Sequence, residues 1–348
     1  MDTIYTVLIS ILVFGLLIFI HEFGHYICAR IFKVKIIEFS IGMGPKIIEY
    51  KSKKTDINYA LSSIPIGGYV AMAGEDGESE DPNSFDKKPA WQRLIITVAG
   101  ASVNIIAGFV VMLIYTCLVN IGGTTVAQFV PQEETGFEIS SYDSGLREGD
   151  EIIAVDGKRV RISDELSYEI MRRGYEPITL TVVRGGEEMD ITVEFPKIGE
   201  SGQTFGCADF LVYREEKTFF SVVRYAFSKG ALLVRMCWES VYDLIVGRYT
   251  FEAVSGPVGI SSAIGDAAKA GALQLLYLTA LISINLGVMN LLPFPALDGG
   301  RLITILIEMI TRRRIPPKIE GIINATGLFI LLGFSAVVLV KDVIALIF

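Results

Sequence analysis

His21, Glu22 and His25 are the residues of this chain best suited to chemistry, because His21-Glu22-Phe23-Gly24-His25 sets two imidazoles four apart beside a carboxylate. On a helix, residues at that spacing share a face, so two ring nitrogens can reach one metal ion while Glu22 borders the same surface. In a His-Glu-x-x-His pattern the imidazoles hold zinc and the carboxylate serves as general base toward a water, a division that needs both the identities and the spacing. These are the only two histidines in the chain, and they sit inside an apolar run. An ionised carboxylate at mid-membrane costs about 2.5–3.5 kcal/mol on insertion scales, so Glu22 is not retained there without a partner. Two satisfied structural histidines near a membrane interface are the alternative, and the intramembrane position speaks against it.

The elements that must position these groups are membrane helices. Hydrophobic residues make up 51% of the chain and charged residues 20%, more apolar than a soluble domain normally is. Four apolar stretches, 4–31, 94–121, 273–292 and 328–347, are long enough to cross a bilayer of ~30 Å at about 1.5 Å per residue. The first has no Lys or Arg in its leader and no small-residue cleavage site, so it is expected to remain in the mature protein rather than leave as a signal peptide.

Lys and Arg concentrate between the first two stretches (Arg30, Lys33, Lys35, Lys51, Lys53, Lys54, Lys87, Lys88, Arg93) and between the last two (Arg301, Arg312, Arg313, Arg314, Lys318). Those loops are expected in the cytoplasm, with both termini and the acidic segment 122–271 outside. A net charge of −8 offers nothing to nucleic acid. Cys28, Cys117, Cys207 and Cys237 form no CxxC pair, so they indicate neither a disulfide framework nor a structural zinc cluster.

Residues 34–72 read as short hairpins broken at Gly42-Met43-Gly44-Pro45, at 51–55 and at Pro65, dipping toward the membrane beside the histidines. Gly67, Gly68, Tyr69 and Val70 form a strand edge able to pair with an extended peptide, or else an ordinary cytoplasmic hairpin. In 218–246, Ser221, Arg224, Ser228, Arg235, Glu239 and Asp243 fall near one helical face, which favours a helix lying at the outer membrane surface over a fifth span.

After the third apolar stretch comes Asn290-Leu291-Leu292-Pro293-Phe294-Pro295-Ala296-Leu297-Asp298-Gly299-Gly300. Pro293 and Pro295 stop a regular helix, leaving an extended stretch before Asp298 opens the next. The expected orientation returns this stretch to the side of His21 and His25, so Asp298 can supply a third zinc ligand with a fourth position open to water. Alone, Asp298 would read more often as a helix cap.

Two segments carry family resemblances. Residues 145–160, GLREGDEIIAVDGKRV, resemble the turn-strand-turn core of PDZ domains, which commonly bind peptide ends by strand addition; an inert spacer that filters substrates by size is the alternative. The segment from Ser141 to Ser144 stands where such domains often carry a Pro-Ala pair. Taken end to end, the chain resembles the site-2 protease family of intramembrane zinc metalloproteases, most closely its bacterial RseP/RasP-like branch with one PDZ domain. HEFGH in the first span, the loop 42–45, the GGYV strand, Gly100 and Asn104 in the second span, Gly256-Pro257-Val258-Gly259-Ile260 and NLLPFPALDGG carry the match. Ala101 departs from it, since relatives usually have Pro there.

The resemblance implies that His21, His25 and Asp298 bind one zinc ion, that Glu22 activates water, and that Asn290, Pro293 and Pro295 help hold the substrate backbone. It implies single-span membrane proteins as substrates, already shortened outside by another protease, such as anti-sigma factors, and signal-peptide remnants. Peptide ends at the PDZ domain and the bilayer of a bacterial cell membrane complete the expected partners. The expected architecture is a multi-pass α-helical membrane protein with membrane-associated β-hairpins. Its divisions are 1–121 with the His-Glu motif, 122–200 as the PDZ domain, 201–271 as linker and interfacial helix, and 272–348 with the Leu-Asp-Gly motif. A cation transporter and a non-catalytic PDZ scaffold fit less well: the remaining spans lack recurring charge, and a scaffold leaves Glu22 without a role.

Overall fold

The computed structural model describes residues 2–75, 77–131, 140–200, 203–248 and 254–347. The chain divides into two compact units, Met1–Val111 with Leu233–Phe348, and Met112–Leu232.

In the first unit, helix α1 covers Asp2–Ile31 and is followed by strands β1 (Ile36–Lys51) and β2 (Asn58–Met72) and by helix α2 (Ala90–Leu118). Long apolar helices are the expected form here, because a backbone in hydrocarbon must satisfy its own polar groups. The strands are longer than the sequence suggests. Gly42 to Pro45 and Pro65 do not separate hairpins but lie in continuous strands, at places where the register shifts: Met43 pairs with Ile64 and Lys46 with Ser62. Each strand bends, so the start of β1 is paired on both sides: Phe39 faces Val70 and Tyr59, and Ser40 faces Tyr69 and Ala60. Residues 68–72 therefore occupy one edge of this antiparallel sheet. A core of Ala29, Val34, Phe39, Ile57, Val70, Met72, Phe85 and Ile96 fastens the sheet to the ends of α1 and α2.

In the second unit, β3 (Ile121–Phe129), β4 (Glu151–Val155), β5 (Lys158–Arg159), β6 (Ile178–Arg184) and β7 (Glu187–Val193) alternate with helix α3 (Ser163–Arg173). A two-stranded ribbon, β8 (Lys197–Glu200) with β9 (Gln203–Gly206), precedes β10 (Phe210–Glu215). The main sheet runs β10-β3-β4-β6-β7, with β5 added to β4, so it extends past the expected boundary at residue 200. Val126, Leu146, Ile152, Leu180 and Val182 are buried in its core.

Helix α4 (Phe219–Ile245) turns its polar stripe inward. Ser221, Ser228 and Asp243 are buried, whereas Phe219, Phe220, Phe227 and Tyr242 are exposed. The first half of the helix meets partners in the second unit: Arg224 pairs with Glu215 at 2.6 Å, and Lys229, next to Ser228, with Asp164 at 2.9 Å.

The first unit resumes within α4, at Leu233, and continues with α5 (Pro257–Ala270), α6 (Ala272–Asn290), α7 (Asp298–Thr311) and α8 (Pro317–Ile347). Among the described residues four helices are long and apolar enough to cross a membrane: Ile4–Ile31, Ala90–Leu118, Ala272–Asn290 and Lys318–Ile344. This is a multi-pass membrane protein. The second span stops at Leu118, since Ile121 already opens β3. The last begins well before residue 328, because Pro317 opens the helix and Lys318, Glu320 and Asn324 hide its first turns from an apolar count.

Candidate metal centre

The two histidines are set by a close crossing of α1 and α2. A Cβ on Gly24 would lie 2.7 Å from the Ala99 carbonyl oxygen, and one on Gly100 would strike the His25 and His21 rings. The helices thus touch backbone to backbone at the depth of the imidazoles. His25 Nδ1 lies 2.8 Å from the Ile96 carbonyl oxygen; a carbonyl only accepts, so Nδ1 carries the hydrogen and Nε2 presents a bare lone pair. His21 Nδ1 lies 3.3 Å from the amide of Asn104 on α2.

Asp298 arrives from the irregular turn after α6. The Phe294 and Leu297 amides bond back to Leu292 and Phe294, and Ala296 adopts φ 73°, a left-handed conformation that costs a non-glycine residue about 1–3 kcal/mol. The first helical residue of α7 is Asp298, yet it does not cap that helix: Leu297 holds the cap position without any side-chain bond.

Its Oδ2 points instead at the imidazoles, 3.3 Å from His21 Nε2 and 3.4 Å from His25 Nε2. The two Nε2 atoms are 3.3 Å apart. Asp298 Oδ2 is buried without a hydrogen-bond partner, so three atoms able to offer a lone pair to a metal converge on one point. Four-coordinate zinc with ligands at 2.0–2.2 Å has tetrahedral edges of about 3.3–3.6 Å, and this triangle matches three of them. Among the described residues it is the one such group of three His, Cys, Asp or Glu side chains.

The cavity at this triangle is also lined by Glu22, Tyr69, Val70, Glu75 and Arg301. Gly68 is close by, since a Cβ there would sit 3.1 Å from Glu22 Cγ. Gly67, Asn290, Pro293 and Pro295 do not line it; Asn290 is half-buried and Pro293 exposed. The sequence reading gives three cavity or ligand neighbours no part in the chemistry: it uses Asn104 only for the family match and Arg301 only for orientation, and leaves Glu75 out. Asn104 is buried within an apolar span, and a lone amide there is itself a signal. Glu75 and Arg301 form an ion pair, and Glu75 also accepts the Met72 amide at 3.2 Å, which ties the sheet edge to α7. Arg301 stands one helical turn after Asp298, a spacing that could have flagged it.

Comparison with known proteins gives this geometry a family. The model of peptidase family M50 matches residues 9–334. A Clostridium perfringens protein named as a candidate zinc metalloprotease is 34% identical over 97% of this chain and 98% of its own length. One of the same description from Fusobacterium nucleatum is 34% identical with the same coverage. The zinc metalloprotease RasP of Geobacillus kaustophilus is 28% identical over 98% of both chains. With two imidazoles and a carboxylate spaced as zinc ligands and a second carboxylate in their cavity, the chain belongs to peptidase family M50, the site-2 proteases, and is a zinc-dependent protease.

Proposed function

We propose that this protease hydrolyses peptide bonds within or just beside the bilayer, with His21, His25 and Asp298 holding the zinc and Glu22 as general base. The observation that carries the reading is the triangle of His21 Nε2, His25 Nε2 and Asp298 Oδ2 on helices that include a span, with Glu22 in the same cavity. Zinc, when bound, supplies a Lewis acid that polarises the scissile carbonyl and brings the pKa of water toward ~7. Glu22 takes the proton of the attacking water and hands it to the leaving amine, so that the nitrogen departs neutral.

A helical amide is shielded by its own turn, so a substrate span must unwind before attack. The edge at residues 68–72, joined to β1 on its other side, offers main-chain pairing that replaces the lost bonds; Gly68, Tyr69 and Val70 belong to this edge, and Gly67 leads into it. Asn290, Pro293 and Pro295 act from the turn leading to Asp298, by shaping it and holding the substrate backbone near the scissile bond. The second unit is a PDZ domain: its antiparallel sheet, the helix α3 and the tight turn at Gly145 to Asp150 support that reading. It lies outside the cell membrane of a bacterium with both termini, the metal centre faces the cytoplasm, and α4 rests at the outer surface through its exposed aromatic residues.

Substrates are single-span membrane proteins trimmed outside beforehand, with anti-sigma factors and signal-peptide remnants as the classes in view. The test is to reconstitute the purified protein with a single-span model substrate and locate the cut by mass spectrometry. A cut inside or at the cytoplasmic border of the span is expected. Cleavage confined to the substrate's soluble part contradicts the reading.

A further inference from the structure

Asn104 lies on α2 with no exposure at all, and its backbone carbonyl accepts a 2.8 Å hydrogen bond from Ser283 Oγ of α6. That contact fixes the helix turn from which the amide projects. In the structure the amide turns its Nδ2 to His21 Nδ1 at 3.3 Å and leaves Oδ1 buried without a partner. A carboxamide can turn either end to a neighbour, N–H as donor or oxygen as acceptor, and here the neighbour is a ring whose Nε2 is turned to the ligand triangle.

If Nε2 gives its lone pair to a metal, the neutral ring must carry its hydrogen on Nδ1. With Nδ2 toward the ring, N–H is then set against N–H. Turning the amide about its last bond puts Oδ1 where Nδ2 stands, and Nδ1–H donates to it across the same 3.3 Å. One amide group stays unpaired in either orientation; only the second avoids a donor facing a donor. His25 already has the equivalent arrangement, with Nδ1 at 2.8 Å from the Ile96 carbonyl oxygen.

We propose that Asn104 is a positioning residue for the metal centre, its Oδ1 accepting the His21 Nδ1–H so that His21 is held in the tautomer and ring orientation that direct Nε2 to the metal. The inference rests on the reading in which His21, His25 and Asp298 hold the zinc. The two imidazoles are then oriented by unlike means: His25 by a main-chain carbonyl that no substitution removes, His21 by one side chain. Partners of this kind are worth about 10–100-fold in metal affinity.

The experiment uses the full chain in lipid nanodiscs with three versions of residue 104: wild type, Asn104→Leu and Asn104→Asp. Zinc affinity is read by chelator competition. With only two histidines in the sequence, ¹⁵N-histidine labelling gives spectra of two rings. Asn104→Leu should lose about 10–100-fold in zinc affinity, while Asn104→Asp, which keeps an acceptor oxygen, should hold zinc at least as tightly as wild type. In zinc-loaded Asn104→Asp, one Nδ1–H resonance should move downfield and the other should stay.

Wild-type zinc affinity in Asn104→Leu, or equal losses in the Leu and Asp variants, overturns the proposal. Should Asn104→Leu fail to fold, the Asn104→Asp spectrum decides alone, and two unmoved Nδ1–H resonances overturn it. The wild-type spectrum separates this failure from that of the underlying reading. If zinc leaves either Nε2 signal unshifted in wild type, the ligand set falls; if both shift and residue 104 has no effect, only the role of Asn104 falls.

Discussion

Two aspartates with buried carboxylate oxygens, one in each unit, meet opposite surroundings. In the β-rich unit, Asp150 is fully buried beside Arg184. It accepts two 2.7 Å bonds from the Arg184 guanidinium and a 2.8 Å bond from the Arg147 amide. Its oxygens are consumed, and the result is a rigid turn. In the helical unit, Asp298 turns Oδ2 into a gap between two imidazoles and finds no hydrogen bond. A buried acceptor left open costs about 1–3 kcal/mol, so such a group calls for an explanation beyond structure. A closed network marks scaffold, and an open one marks chemistry.

The comparison predicts effects of different kind and size. Asp298→Asn removes the anionic oxygen from the triangle; cleavage should vanish and zinc affinity should fall by more than the about 10–100-fold attached to outer partners. A metal-content assay checks this, and full zinc occupancy with normal turnover would return Asp298 to a structural role. Asp150→Ala should instead leave zinc content unchanged and loosen the β-rich unit by about 1–3 kcal/mol, since the partly exposed Arg184 can turn to water. Hydrogen exchange in the full chain should speed up in Glu151–Val155 and Ile178–Arg184; zinc loss in this variant would erase the distinction between the two aspartates.

The smallest effect concerns the open sheet edge. A substrate N-methylated at the backbone positions that pair with residues 68–72 should be cut about 2–10-fold more slowly, the equivalent of one net hydrogen bond. Methylation elsewhere in the same span should not slow cleavage. Equal rates for both substrates would remove the edge from the account.

Much of this site is legible in the sequence because its parts are local. Helical spacing alone puts His21 and His25 on one face, and Pro293 and Pro295 announce the break before Asp298. Asn104 and Glu75 are not legible, since their roles depend on which turn of α2 faces α1 and on where the loop after Met72 comes to rest. Those are tertiary facts. The β-strands show the same limit: glycine and proline at 42–45 suggest separate hairpins, whereas β1 absorbs them as a bend and keeps pairing. On α4 the polar stripe is visible in the sequence, but its burial is not, because periodicity finds a face without saying what covers it.

The central claim is that Glu22 acts on the proton while the histidines and Asp298 hold the metal, and Glu22→Gln tests it most directly. Zinc content and cleavage of a single-span substrate are measured side by side on wild type and variant in the same lipid. Because the amide cannot take the proton, the variant should retain zinc at the wild-type level and lose at least about 10²–10⁴-fold in hydrolysis. Near-wild-type cleavage by a zinc-loaded Glu22→Gln protein would contradict the account.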